Sequence, residues 1–285
     1  MRKVAVVTDA VCGLPGAIVE QYGITVVPVT VRFGTKVYRD DQLTIDEFWV
    51  KVLDGPHHPS TSQPSPGDFE TAFGPLVDQG LDIVCPVVTS KLSGTFNSAR
   101  VAAQGFPGRV TVFDTQSWSL VQGYQVMSAA AAAQSGASVE EIIVLLESIR
   151  SRSHVFIGFE TVEYIQRGGR IDDVMPVLER LVRTLKLRFV FEIAEGKLRF
   201  VGVSRSRLKL LQQIQAQVAR YIPAEMLIVA HTRRENEAQD FARTLAKRLD
   251  FPLGQVMVGE LGPALASHAG PGGIAAGIVR ALPEQ

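Results

Sequence analysis

The sequence predicts an α/β protein of two domains, and two patterns support this fold class. In the first half, short apolar runs of strand length alternate with helical stretches, as in parallel strands joined by crossover helices. In the second half, apolar runs flank Glu195 and Gly196 as in an antiparallel hairpin. We therefore expect a mainly parallel, Rossmann-like sheet in residues 1–150 and a mixed sheet in residues 151–285.

The first half gives its elements in a clear order. Strands are predicted at residues 3–8, 25–31, 83–88 and 110–113, with a hairpin through the turn at 33–36. Helices are expected from Pro15, through Arg100, and in an alanine-rich segment ending near Gly136. Capping patterns predict further helix starts at Thr44, Ser65 and Ser138. The proline-containing loop at 55–65 has no core pattern.

The second half alternates strands and helices less regularly. A strand is predicted at 154–160, a helix through Leu181, and the hairpin at 187–203. Helices at 206–221 and 235–249 alternate with strands at 226–230 and 256–258. The glycine-rich bend at 270–273 is expected to open a short helix.

Composition excludes several classes of protein. The 29 basic residues balance 29 acidic ones, so nucleic acid is not an expected partner. Two cysteines, Cys12 and Cys85, in a large apolar chain suit a reducing, cytoplasmic compartment. The uncharged stretches at 115–139 and 261–279 contain polar residues, glycine or proline, so we expect no transmembrane segment, while transient membrane contact is compatible with the composition. No spacing of His, Cys and carboxylates indicates a metal site.

A patch of small polar residues, TSKLSGTFNSA at 89–99, directly follows the apolar strand at 83–88. In open α/β sheets, ligands bind outside the carboxyl ends of the strands. We expect Ser93 to cap a helix beginning at Gly94, where unpaired N–H groups attract an anion and the absent Cβ leaves it room. The alternative is that Ser93 is only a helix cap.

Two further polar segments allow a functional and a structural interpretation. Thr61 and Ser62 form a short hydroxyl patch, which is also a common composition for an ordinary turn. His268 precedes the glycine-rich bend, where it could hydrogen-bond an anion or belong to a structural turn. The bend matches neither the P-loop nor the dinucleotide-binding spacing.

Taken together, these segments resemble the DegV family of bacterial fatty-acid-binding proteins, which includes the acyl-carrying subunit of fatty acid kinase. The resemblance covers almost the whole chain. It is carried by VTDA at 7–10, TSQPSPGDF at 61–69, TSKLSGTFNSA at 89–99, TVEYIQRGGRI at 161–171, SRSRLK at 204–209 and HAGPGG at 268–273. The occurrence of these motifs in this order is far more specific than any one of them.

The resemblance implies a long-chain fatty acid bound in an apolar tunnel between the two domains. It also implies that hydroxyls at Thr61 and Ser93 hold the carboxylate, with His268 completing the polar network; Ser62 and Gly94 belong to the same matched motifs. A separate kinase chain would convert the presented carboxylate to an acyl phosphate. Two arginines in matching motifs are candidates to contact that partner or the phosphate, with solvated side chains as the alternative: Arg170 and Arg205.

Two other functions are weighed against this one. Ser93 with His268 could form a serine acyl hydrolase, but LSGTF lacks the G-x-S-x-G elbow of such enzymes. A kinase is not expected, because the chain has no Walker motif. We therefore expect a lipid carrier without enzymatic activity of its own and without a cofactor.

The chain departs from the family pattern near the end of the first strand. Ala10 and Gly13 stand where the family usually has a serine and an acidic residue. These departures leave the local contacts around the strand end open. Acyl-chain length, the identity of the kinase and the oligomeric state do not follow from the sequence.

Overall fold

The structure is a computed structural model that describes residues 3–172 and 187–283. The chain divides into two compact units. The first comprises Met1–Ser151 with Gly262–Ala264, and the second comprises Arg152–Leu261 with Leu265–Gln285. The predicted limits, 1–150 and 151–285, stay a prediction of domain organisation. The predicted helix through Leu181 lies outside the described residues.

The described residues of the first unit form seven strands and six α-helices. The strands are β1 (Val4–Asp9), β2 (Thr25–Val27), β3 (Thr30–Phe33), β4 (Lys36–Arg39), β5 (Pro59–Ser62), β6 (Asp82–Val87) and β7 (Val110–Asp114). The helices are α1 (Gly16–Tyr22), α2 (Ile45–Leu53), α3 (Pro66–Asp78), α4 (Thr95–Ala103), α5 (Ser119–Gln134) and α6 (Val139–Arg152).

The main sheet of the first unit is parallel, in the order β2–β1–β6–β7, which confirms the predicted fold class. Both faces are buried, and neighbouring residues of a strand point to opposite sides. Val6 packs in a cluster with residues of α5 and α6, whereas Val7 packs in a second cluster with residues of α3 and α4. The uninterrupted apolar run of β1 follows from this burial on both faces.

A smaller antiparallel sheet has the order β4–β3–β5. The predicted hairpin forms β3 and β4, and the predicted strand at 25–31 is divided into β2 and β3 around Pro28, which has no N–H to donate. The expectation of a patternless loop at 55–65 was wrong, because the segment contains β5. Its residues are mostly polar, so pairing with β3, distant in sequence, is what makes it a strand.

The local capping signals were confirmed. The Thr44 and Ser65 side chains accept from the N–H groups of Glu47 and Asp68, whose carboxylates accept in return from the N–H groups of the caps. The same reciprocal pair before α6 is formed by the residues at 138 and 141. These helix starts depend on residues three positions apart, so the sequence alone reveals them.

The described residues of the second unit add six strands and four helices. The strands are β8 (Ser153–Phe159), β9 (Arg188–Ala194), β10 (Lys197–Ser204), β11 (Ala224–His231), β12 (Met257–Glu260) and β13 (Ile274–Arg280). The α-helices are α7 (Glu163–Arg167), α8 (Arg207–Val218), α9 (Glu235–Leu249) and α10 (Pro263–Ala269), of which Pro263 and Ala264 are counted with the first unit.

These strands form one sheet in the order β10–β9–β8–β13–β11–β12. The β11–β12 pairing is parallel and the other pairings are antiparallel, so the sheet is mixed, as predicted. The predicted hairpin turns at Glu195 and Gly196, both with positive φ, which is the requirement of a tight type I′ turn.

The prediction for the segment after residue 270 was wrong. The glycine-rich bend follows a helix, α10, and opens a strand, β13, rather than a helix. Ala275, Ala276 and Gly277 gave no strand signal, since alanine favours helices and glycine weakens strands. The segment is a strand because it pairs with β8 on one side and β11 on the other, and every residue of it except Arg280 is buried.

Candidate functional site

The carboxyl end of β6 leads into a tight turn that carries the first polar patch. Thr89 is buried, and its N–H donates to the carbonyl of Ser117 at 3.0 Å. The carbonyl of Thr89 accepts from the N–H of Leu92 at 3.3 Å and from that of Ser93 at 3.2 Å. The turn therefore fixes the backbone of Ser93 at the carboxyl end of the parallel sheet.

The helix cap differs from the prediction by one residue. Gly94 is the N-cap of α4, and the helix begins at Thr95. Ser93 lies one position earlier; its Oγ accepts from the N–H of Thr95 at 3.3 Å and shares a hydrogen bond with Thr95 Oγ1 at 2.8 Å. Two hydroxyls therefore stand side by side at the first turn of α4, which makes Thr95 a candidate that the sequence did not single out.

The second patch lies on β5, and its two hydroxyl residues point to opposite faces. Thr61 is opposite the buried Val31 on β3, so it shares the inner face of the small sheet. Ser62 is opposite Thr30 and is exposed. Because successive residues of a strand alternate, a ligand group approaching one face meets only one of these two side chains.

Gln63 joins the two patches within the first unit. Its amide lies directly over Gly94, where an added Cβ would overlap the amide nitrogen and oxygen. Its Nε2 also donates to Ser98 Oγ at 3.4 Å. The space left by the missing Cβ of Gly94 therefore holds the Gln63 amide, which corrects the expectation that the space is left for an anion. A glutamine in a polar loop carries no sequence signal for such a role.

A buried carboxylate lies at the end of β1. Asp9 has no solvent exposure, and its Oδ1 accepts from the N–H of Val11 at 2.9 Å. Its Oδ2 accepts from the N–H of Val88 at 2.8 Å and from Gln122 Nε2 at 3.1 Å. Burial raises the pKa of Asp9 to about 6, although these hydrogen bonds act in the opposite direction.

The departures from the family pattern lie directly after this residue. Ala10 begins a single 3₁₀ turn that ends at Cys12, and the Asp9 side chain caps that turn. Gly13 follows with a φ of 64° and donates its N–H to the carbonyl of Ala10 at 3.3 Å. Glycine suits this left-handed conformation, so the usual acidic residue is replaced by one that closes the turn.

More polar groups are buried near the start of α5. Ser117, Ser119, Gln122 and Gln125 are all buried. Among the described residues, the hydroxyls of these two serines and the amide oxygens of these two glutamines have no hydrogen-bond partner. Orphaned polar atoms are uncommon in protein interiors, so this end of the sheet is unusually polar. The sequence signal that could have predicted these buried polar groups is the presence of glutamines within an otherwise uncharged helix.

In the second unit, two of the motifs pack against each other. His268, near the end of α10, lies against Gly168, where an added Cβ would overlap Nδ1 of the imidazole. Gly270 likewise lies against the ring of Tyr164, which an added Cβ would overlap. The motifs at 161–171 and 268–273 therefore form one packed surface, and glycines make their close approach possible.

The two candidate arginines have different surroundings. Arg170 is partly buried, and its Nη1 donates to the carbonyl of Gly168, so it meets the same residue as His268. Burial lowers the pKa of the Arg170 guanidinium, and no carboxylate pairs with it within residues 3–172 and 187–283. Arg205 is exposed in the link between β10 and α8.

Arg207, rather than Arg205, anchors the motif at 204–209. Its guanidinium donates to Glu160 at 2.9 Å, to Glu237 at 3.0 Å and to the carbonyl of Gly272 at 2.7 Å. The hydrogen bond from Arg207 lowers the pKa of Glu237. The network ties the start of α8 to the glycine-rich bend, so Arg207 has a structural role that the motif alone did not reveal.

The structure thus places the candidate residues in two groups. The first unit holds Thr61, Ser62, Ser93 and Gly94, and the second holds Arg170, Arg205 and His268. The location of a ligand between the two domains stays a prediction, as do the roles of these residues. The surroundings of Ser93 within its unit do not favour the acyl hydrolase alternative, because its hydroxyl is engaged with Thr95 at a helix start.

The described residues contain no group of His, Cys, Asp and Glu side chains that could hold a metal ion. Over the same part of the chain, no helix combines the length and the apolar character needed to span a membrane.

Comparison with known sequences gives a consistent result over the whole chain. Residues 3–281 match the DegV family, which is described as a family of uncharacterised proteins. A DegV domain-containing protein of Deinococcus radiodurans is 31% identical over 277 residues, which cover 95% of this chain and 96% of that protein.

Solved structures with the same fold include proteins described as binding fatty acids. A fatty-acid-binding DegV family protein from Thermus thermophilus has 32% sequence identity and a TM-score of 0.87, covering 98% of this chain and 100% of that chain. A stearic acid-binding protein from Eubacterium ventriosum has 25% identity and a TM-score of 0.87, covering 98% of each chain.

The close approach of Gly168 and His268 gives a testable prediction. In Gly168→Ala, the new methyl group would overlap the imidazole, so His268 must move. We expect the assigned side-chain NMR resonances of His268 to shift and the free energy of unfolding to fall by about 1–3 kcal/mol. Gly254→Ala is the matched control, because an added Cβ there meets nothing within 4 Å. Unmoved His268 resonances in Gly168→Ala would contradict the contact.

Proposed function

Because the chain belongs to the DegV family, we propose that it binds a long-chain fatty acid. The observation that carries this proposal is the pair of hydroxyl patches, linked by Gln63, in a chain 32% identical to a fatty-acid-binding structure. We assign the carboxylate of the fatty acid to these patches. Thr61 and Ser93 are assigned to the direct contacts, and His268 completes the polar network. Ser62 and Gly94 belong to the same motifs but support the site indirectly, because Ser62 points to the opposite face of β5 and the Gln63 amide fills the space over Gly94.

The chemistry of the patches suits a carboxylate head group. Ser93 and Thr95 share one hydrogen bond, so one of their two hydroxyls is left to donate to the ligand, and the first N–H groups of α4 carry the positive end of the helix dipole. Each hydrogen bond to a charged group contributes about 1.5–3 kcal/mol, whereas each buried methylene of the tail contributes about 0.8 kcal/mol. The tail therefore supplies most of the affinity, and the head supplies the orientation.

In this proposal the fatty acid is a cargo of the chain rather than its substrate. The chain presents the carboxylate to a separate fatty acid kinase, which forms the acyl phosphate, and the exchange takes place in the cytoplasm. The support is Arg170, a partly buried guanidinium without a carboxylate partner among the described residues, whose charge can therefore balance the phosphate that the kinase adds. Arg205 is exposed, as a contact for a partner protein must be.

Lipid occupancy tests the proposal directly. Protein purified from cells and extracted into organic solvent should yield a fatty acid by mass spectrometry, and stripped protein should take up oleate or palmitate. Since the tail supplies the affinity, laurate should bind more weakly than palmitate by about 0.8 kcal/mol for each missing methylene. Absence of extracted lipid, together with no uptake of oleate or palmitate, would refute the proposed function.

The carboxylate contacts make a second prediction. Ser93→Ala and Thr61→Ala should each weaken oleate binding about 10- to 100-fold, which corresponds to the loss of one hydrogen bond to a charged group. Titration calorimetry with oleate measures this change. Ser60→Ala is the matched control, because Ser60 is an exposed neighbour on β5, opposite Arg32. If both variants bind as the control does, Ser93 and Thr61 do not belong to the site.

The arginines make a third prediction, which concerns transfer rather than binding. In Arg170→Glu and Arg205→Glu, oleate binding should be retained, while phosphorylation of the bound acid by a fatty acid kinase should fall by about tenfold or more, because a favourable charge is reversed. Arg220→Glu is a control at another arginine, which donates to the neighbouring Gln217. Unchanged phosphorylation in both variants would mean that these arginines are simply solvated.

A further inference from the structure

The carboxylate of Asp9 accepts a hydrogen bond from the residue directly before the turn that carries Ser93. Its three hydrogen bonds come from the N–H of Val11, the N–H of Val88 and the amide nitrogen of Gln122. Val88 is the last residue before that turn. Asp9 therefore connects the ends of β1 and β6 to α5 through a group that only accepts hydrogen bonds while it is ionised.

Two hydrogen bonds and the peptide bond between Val88 and Thr89 link Asp9 to Ser93. The carboxylate accepts from the N–H of Val88 at 2.8 Å, and the N–H of the next residue, Thr89, donates to the carbonyl of Ser117 at 3.0 Å. The carbonyl of Thr89 then accepts from the N–H of Ser93 at 3.2 Å. The direction of the Ser93 hydroxyl thus depends on where Asp9 and Ser117 place the two residues that begin the turn.

We infer that Asp9 is a positioning residue for the carboxylate of the bound fatty acid, because it fixes Val88 and thereby the turn from which Ser93 points. This inference rests on the proposed function and extends it to a residue that itself touches no ligand. An ionised Asp9 repels an anionic ligand, so its charge does not help binding directly. Asp9 contributes by positioning the turn. This positioning strengthens fatty acid binding, whereas repulsion between the Asp9 charge and the ligand carboxylate weakens it.

Two substitutions of Asp9 separate these effects. Asp9→Ala removes the charge and every side-chain acceptor, so the N–H of Val88 loses its partner. Asp9→Asn also removes the charge but keeps one acceptor oxygen, which can serve Val88 or Val11 but not both. If repulsion dominated, both variants would bind oleate more tightly. If positioning dominates, Asp9→Ala binds it more weakly, and Asp9→Asn recovers affinity to the extent that Val88 is held again.

Titration of Asp9 gives a further way to separate positioning of the turn from charge repulsion. The titratable groups that interact with it are the thiols of Cys12 and Cys85, whose pKa values burial raises, and the carboxyl of Asp40. Burial raises the pKa of Asp9 from 3.8 to about 6, so the folded protein binds this proton more tightly than the unfolded chain. As the pH falls from about 6 to 4, protonation of this group therefore favours folding, while the acceptor for Val88 is weakened.

The experiment compares the wild type, the two Asp9 variants and Gln215→Leu at pH 7.5. Gln215→Leu is the control for loss of a buried polar side chain, because Gln215 is buried on α8 in the second unit, where its amide oxygen accepts from Arg248. Amide hydrogen exchange of residues 87–93 is measured without ligand. Affinity is then measured for oleate and for oleyl alcohol, which has the same tail without the carboxylate.

In Asp9→Ala we expect faster exchange at residues 87–93, about tenfold weaker oleate binding, and unchanged binding of oleyl alcohol. The alcohol distinguishes positioning of the carboxylate from general damage to the fold. Unchanged or tighter oleate binding would overturn the inference, as would equal losses for both ligands.

The wild type provides a test that does not depend on the variants folding. The backbone amide resonance of Val88 should titrate as Asp9 takes up its proton, with a midpoint near pH 6. A Val88 resonance that shows no titration anywhere between pH 8 and pH 4 would overturn the inference.

The two proposals fail in distinguishable ways. A wild type that takes up no oleate rejects the proposed function, and the exchange measurement still shows whether Asp9 holds the turn. A wild type that binds oleate, with no loss in Asp9→Ala, rejects the positioning role alone.

Discussion

One buried carboxyl group sets the geometry at the carboxyl end of the parallel sheet. Asp9 lies out of contact with water, yet it accepts hydrogen bonds from Val88, Val11 and Gln122, so strands and helix meet at a single group. No cationic side chain pairs with Asp9 in the described part of the chain, so burial of its charge is unfavourable, and the raised pKa of Asp9 reflects this penalty. The fold tolerates it at the point where the backbone must leave β6 in a defined direction.

The two hydroxyl patches illustrate how far a polar surface depends on apolar support. Ser93 lies after a strand that is buried on both faces, and Thr61 lies opposite Val31, which is fully buried. Gln63 links the two patches, because its amide packs against Gly94, which has no side chain. Rigid strands fix the ends of short polar segments, and this arrangement suits recognition of a small charged group at the end of a long apolar molecule.

Much of the fold followed from local signals, and the exceptions share one cause. The caps at Thr44 and Ser65 and the hairpin at Glu195 depend on neighbours in sequence, so residue spacing was sufficient to predict them. The strands β5 and β13 form because of strands far away in the chain, against the propensities of their own residues. The same holds for the site: the first polar patch could be found from its place after a strand, whereas the approach of Gln63 to Gly94 arises only in three dimensions.

The position of β13 has a consequence for how the protein is made. This strand lies in the interior of the second sheet, between β8 and β11, although it is synthesised after every other strand of that sheet. Until it leaves the ribosome, β8 and β11 lack the partner between them, and each presents an open backbone edge to other chains. The second sheet therefore closes by insertion of its last-made strand, and the interval before that step is when the nascent protein is most exposed to aggregation.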